Sequence, residues 1–155
     1  MEHCGSGLDI GMQKLLRAAE SGDVDALYRL GDAYRYGVCG VRQDAQKAFL
    51  YHSKAAALGY IESAYALALD SLFYGHFCPW PQEEGARVLK DVAEKSLNPD
   101  PWYWYARICF EGIGMPRNLY SAKEWLQRCI DYMGGRDSDA EELLQEVEAE
   151  LAAES

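Results

Sequence analysis

Cysteine is sparse in this chain and follows no pattern. The five are Cys4, Cys39, Cys78, Cys109 and Cys129. Their number is odd, no two stand as Cys-x-x-Cys, and the spacings do not repeat. That excludes a regular disulfide framework and points to a reducing compartment. One disulfide stays open, between Cys109 and Cys129, if they face each other within a hairpin. No apolar run approaches the ~18 residues that cross a bilayer. Met1 to Gly11 has no basic stretch leading into an apolar one, so no secretory signal is read and a cytoplasmic protein is expected. Basic residues never cluster. There are 15 Lys and Arg against 25 Asp and Glu, a net charge of −10. Nucleic acid and anionic membranes are therefore not expected as partners.

Catalytic signatures are missing too. There is no Ser-x-x-Lys, Gly-x-Ser-x-Gly, His-Glu-x-x-His or glycine-rich phosphate loop. His76 and Cys78 share one loop, but a metal site needs three or four converging ligands. No catalytic residue, metal or cofactor is expected. His52 reads as a surface or interface residue on a helix.

What the chain does have is a phrase repeated at a fixed period. Ala18-Ala19-Glu20-Ser21-Gly22 returns as Ala55-Ala56-Ala57-Leu58-Gly59 and again, worn, as Val92-Ala93-Glu94-Lys95-Ser96. A period of this length means stacked helical hairpins, which work by presenting a surface. Periodicity predicts a lead helix from about Asp9, with Ile10, Leu15, Leu16 and Ala19 on one side. The first hairpin follows over 23–36 and 44–58, with Asp23 and Asp44 as N-caps. The second runs about 61–74 and 82–96, broken by the long loop 75–81. The third runs about 100–111 and 119–132, with Asp100 as cap and Pro101 in the first turn. Ser138-x-x-Glu141 predicts a capping box and a last helix with Ala140, Leu144, Val147 and Leu151 on one face. The expected division is a flexible 1–8, a repeat region 9–133 and an acidic cap 137–155. That tail holds eight acids and no Lys or Arg. It reads either as a solubilising outer face or as a charge that steers a basic partner.

Small residues recur where helices must approach closely: Gly31, Ala68 and Ala106 in the first helix of each hairpin, Ala48, Ala86 and Ala122 in the second. Ala26, Leu30, Gly31, Tyr34, Gly37, Gly40, Val41, Asp44, Lys47, Ala48, Lys54, Ala55, Ala56 and Gly59 carry a pattern that resembles the Sel-1-like repeat, a relative of the tetratricopeptide repeat. The first copy has one extra residue between Gly37 and Gly40. In the second, Tyr74-Gly75 arrives one residue late. The third matches from Gly112-Ile113-Gly114 through Ala122 and Trp125.

The resemblance implies an all-α, right-handed superhelix of about three hairpins with a lead helix and a capping helix. It also implies a non-catalytic adaptor that binds one or more proteins on a concave surface lined by the first helices. That surface would offer Tyr28, Asp32, Arg35 and Tyr36, then Tyr65, Leu69, Leu72 and Phe73, then Trp102, Tyr103 and Arg107, with Trp80 on the 75–81 loop as a second contact. Aromatic and arginine side chains are the usual anchors of such interfaces. Leu69, Leu72 and Phe73 are open between core and groove, because the extra residue in their helix can turn them inward. Other roles compatible with the family are an immunity protein that neutralises a secreted toxin, or a hydrolase of β-lactams or cell-wall fragments. A homodimer formed through the cap is a further reading.

Overall fold

The computed structural model describes residues 10–155. The expected flexible stretch 1–8 lies outside the described residues. Among these, all regular structure is helical: α1 (Ile10–Glu20), α2 (Val24–Tyr36), α3 (Ala45–Ala57), α4 (Ile61–Leu69) with a π-helical turn at Asp70–Tyr74, α5 (Gln82–Lys95), α6 (Pro99–Glu111), α7 (Leu119–Met133) and α8 (Ser138–Glu154). The chain forms two compact units, one through Pro79 and the other from Trp80 to Ser155.

Helix starts follow local chemistry. Asp23 accepts from the Ala26 N–H (3.2 Å) and Asp44 from the Lys47 N–H (3.1 Å), which satisfies donors that a first turn leaves unpaired. Two expected caps shift. Asn98, not Asp100, caps α6: its side chain accepts from the Asp100 N–H (2.9 Å), and Pro99 takes the first helical position. Proline is suited there because its missing N–H would have no helical partner. Asp137, not Ser138, caps α8 by accepting from the Ala140 N–H (3.1 Å). α2, α6 and α7 end on glycines in the left-handed conformation, Gly37, Gly112 and Gly134.

In the first unit α2 and α3 form a hairpin, α1 packs on α2, and α4 packs on α3. Leu30, Leu67, Ala48, Ala55 and Ala68 are fully buried between them, with Met12 reaching in from α1. In the second unit α6 and α7 form the hairpin, α5 packs on α6 and α8 lies along α7. Leu89, Ile108, Leu126, Ala106 and Ala122 make its core. The small residues at the six matching positions are all buried. Gly114 lets the α6–α7 loop touch the start of α5, where an added Cβ would collide with the Gln82 carbonyl. α8 buries Ala140, Leu143 and Val147, whereas Leu144 and Leu151 are half-exposed. Leu143 thus takes the inner place expected of Leu144. Cys109 and Cys129 are free thiols, buried and pushed up to about 11 and about 12 by loss of solvent.

The late arrival of Tyr74-Gly75 has a direct structural cause. The extra residue is absorbed as a π-helical turn, closed by the Gly75 N–H donating to the Asp70 carbonyl (2.6 Å). Such turns are how an α-helix accommodates one inserted residue. The extra residue of the first copy is handled differently: Cys39 takes a positive φ of 59° in the α2–α3 loop.

Candidate functional site

The residue that organises the first unit's exposed edge is Asp70. It is fully buried, and its carboxylate accepts three successive backbone N–H groups: His76 (3.1 Å), Phe77 (2.9 Å) and Cys78 (2.7 Å). A buried carboxylate is tolerated when hydrogen bonds replace its water. The π turn brings Asp70 and the loop 75–79 together, and the carboxylate then fixes the loop's path.

That path drives Phe77 inward. Its ring lies 5.6 Å from the His52 ring on one side and 4.9 Å from the Arg35 guanidinium on the other. Arg35 also lies over Tyr36 at 5.0 Å. Tyr36 is 59% exposed and Tyr74 49%, and His76 stacks on Tyr74 at 6.2 Å. Between these side chains opens a hollow of about 720 Å³ lined by Arg35, Tyr36, Gln43, Ala45, Gly75, His76 and Phe77. A second, of about 410 Å³, adjoins it across the same loop and reaches Gln46, Phe49 and Pro79.

Behind the rim stands a polar line that the sequence reading missed. His52 is fully buried, which corrects its expected surface position. Its Nδ1 is 3.2 Å from the Ser63 hydroxyl and its Nε2 is 3.2 Å from Asp32 Oδ1, out of line for a hydrogen bond. Gly31 makes the room: a Cβ there would sit 2.6 Å from the imidazole. Aspartate, histidine and serine in a row suggest a nucleophilic triad, but Ser63 is completely buried and borders neither hollow. A nucleophile needs space for the reacting carbon about 3 Å away, and none exists here. His52 joins α3 to α4 through Ser63 and packs on α2 at Gly31. The signal for it was a glycine where the other copies have Ala68 and Ala106, facing a histidine one turn past Ala48. Asp70 also left a trace, as a lone acid within the apolar run Ala64 to Leu72.

The expected site residues therefore separate. Arg35 and Tyr36 are at the hollow. Tyr28 and Asp32 flank His52. The Tyr28 ring packs 5.4 Å from His52 and 5.1 Å from Tyr60, and burial, then the Asp32 charge, pushes its phenol up to about 12. Tyr65, Leu69 and Phe73 are half-buried. Leu72 is 4% exposed and belongs to the core, since the π turn rotates it inward. In the second unit Trp80 is half-buried. Trp102 is a correction: it is 4% exposed, donates its indole N–H to the Ala93 carbonyl (3.0 Å), and lies under the Arg128 guanidinium at 4.1 Å. Tyr103 and Arg107 form a cluster on α6, where Arg107 donates to the Tyr103 hydroxyl (3.2 Å) and to Glu111 (2.6 Å). Those hydrogen bonds hold the guanidinium above its ordinary pKa. Among the described residues no group of His, Cys, Asp and Glu is placed to hold a metal, and no helix is long and apolar enough to cross a membrane.

Comparison with known proteins adds three findings. The Sel1 repeat model matches residues 24–60 and 103–129. Chitin synthase regulator SKT5 of Malassezia restricta is 32% identical over 125 residues, which is 80% of this chain and 9% of that protein. The chain therefore spans under a tenth of the curated relative it matches. Among solved structures, a protective antigen of uropathogenic Escherichia coli with an SLR fold matches 80% of this chain and 26% of its own at a TM-score of 0.73 and 24% identity. A Sel1 repeat protein from Oxalobacter formigenes matches 88% of this chain and 98% of its own at 0.70 and 23%. The last two show the fold alone.

Proposed function

We propose, from the premise that the chain is a Sel1-like repeat protein, that it is an interaction module whose partner docks on the rim formed by α2, the start of α3 and the loop 75–79. Sel1 repeats generally mediate contacts between proteins. The observation that carries the reading is a hollow of about 720 Å³ lined by Arg35 and the exposed Tyr36 and His76, with the exposed Tyr74 stacked on His76 beside it. Exposed aromatic rings give a partner large contact area with few rotatable bonds to order. The relative named a chitin synthase regulator is in keeping with a regulatory role.

The test is capture of a partner by the full chain and by a Tyr36→Ser/Tyr74→Ser variant. Both side chains are exposed, so the variant should retain the wild-type circular dichroism spectrum and melting temperature. A protein retained stoichiometrically by wild type and lost by the variant supports the reading. Equal capture by both would move the interface elsewhere.

A further inference from the structure

We propose that the hollow beside Arg35 takes an acidic side chain, Asp or Glu, from an extended segment of the partner protein. This rests on the reading above and names the chemistry of that rim. Arg35 makes no ion pair and no side-chain hydrogen bond with another described residue. Its guanidinium is held by two ring faces instead, 5.0 Å from Tyr36 and 4.9 Å from Phe77. Stacking of this kind fixes the plane and leaves the in-plane N–H groups free for a carboxylate.

The lining of the hollow contains no carboxylate. Ala45, the first residue of α3, borders it, so the positive end of that helix's dipole faces the same space. Asp44 is nearby, with one carboxylate oxygen engaged by the Lys47 N–H. From Tyr34 to Lys47 the cations Arg35, Arg42 and Lys47 stand against Asp44, and the one acid behind the loop, Asp70, is buried and engaged by three backbone N–H groups, which leaves three cations to two acids. The edge is therefore locally cationic on a chain of net charge −10. At physiological salt charges act over about 8 Å, so this local balance governs a docked residue. The apolar residues of the segment would lie on Tyr36 and on the adjoining hollow of Phe49 and Pro79.

The experiment selects binders to the full chain from a library of random linear dodecapeptides, then measures the selected peptides by fluorescence anisotropy. We expect enriched sequences to contain Asp or Glu. Replacing that residue by Asn or Gln should weaken binding about tenfold or more. Arg35→Gln should do the same and Arg35→Lys should restore part of it, whereas Lys90→Gln in the other unit should change nothing. Arg35 is at the rim, and an unchanged circular dichroism melt keeps its variants interpretable. Selected peptides without an acid, or acidic peptides indifferent to Arg35→Gln, overturn this inference and leave the interaction reading standing. Selection of no peptide overturns this inference, and the capture experiment above then decides the interaction reading by itself.

Discussion

A single methyl group separates a workable hairpin from a damaged one at Gly31. The glycine faces a fully buried imidazole, and a Cβ would stand 2.6 Å from His52 Nε2. Rings cannot compress, so Gly31→Ala should destabilise the protein by about 1–3 kcal/mol, the usual range for overpacking. Urea unfolding reads this directly. The Gly31→Ala/His52→Ala double variant should be less destabilised than the sum of its single changes, because removing the ring removes the clash. If the two effects simply add, the ring is not what Gly31 accommodates. At this scale the sequence was only partly legible. Gly31 was recognised as a point of close approach, but its opposite number was not, because His52 and Asp32 lie twenty residues apart and meet only once α2 and α3 pair. Trp102 was misplaced for a similar reason. Four aromatic residues in succession, Trp102 to Tyr105, point several ways around α6, and only the position of Ala93 shows which one turns inward.

Among the elements, α4 and its π turn carry the most consequence. Without the extra residue, Asp70 would not be placed to receive the N–H groups of residues 76–78. Asp70→Ala would leave three donors unpaired, those of Phe77 and Cys78 buried and that of His76 partly so, at about 1–3 kcal/mol for each one that finds no water. We expect a loss of about 3 kcal/mol overall. Hydrogen exchange should speed up by about tenfold or more at His76, Phe77 and Cys78, ahead of the helical amides. Uniform acceleration across the first unit would mean that Asp70 supports the core and not the loop. Helix existence and most boundaries were readable from glycines, caps and periodicity. The π turn was readable as a misfit, since the one-residue delay of Tyr74-Gly75 announced an insertion. Its outcome was not, because an inserted residue can lengthen a loop or widen a helix, and packing decides between them. The π turn also settles Leu72 as core while leaving Tyr74 outside.

For the whole molecule the acidic tail is the main feature of charge. Of its eight acids, Glu150 and Glu154 pair with Arg117 and Glu148 pairs with Lys123. All of these groups are well exposed, so each pair contributes well under about 1 kcal/mol. What fastens α8 to its unit is burial of Ala140, Leu143 and Val147. Deleting 137–155 removes that cover and bares the α7 face beneath it. At about 1.5–3 kcal/mol for each large side chain buried, the loss should be on the order of 4 kcal/mol. Thermal melts and light scattering of the truncated chain should show a lower transition and self-association, whereas charge-reversing Lys123→Glu should change the melt little. The acidity was legible from composition and the helix from periodicity. The face was not, because Leu143 and Leu144 are neighbours and only contact with α7 selects between them.

The first two copies of the repeat are the same length, yet each contains its surplus residue in a different form. One sets Cys39 in a left-handed turn and the other widens a helix at Asp70–Tyr74. Both lie past the buried small residue of the leading helix, Gly31 or Ala68, so the close contact made there is untouched. Novelty in such a chain is thereby channelled to one place, the far end of each leading helix and the loop after it. A lineage can redraw its recognition edge there, residue by residue, while its scaffold stays under unchanged constraint.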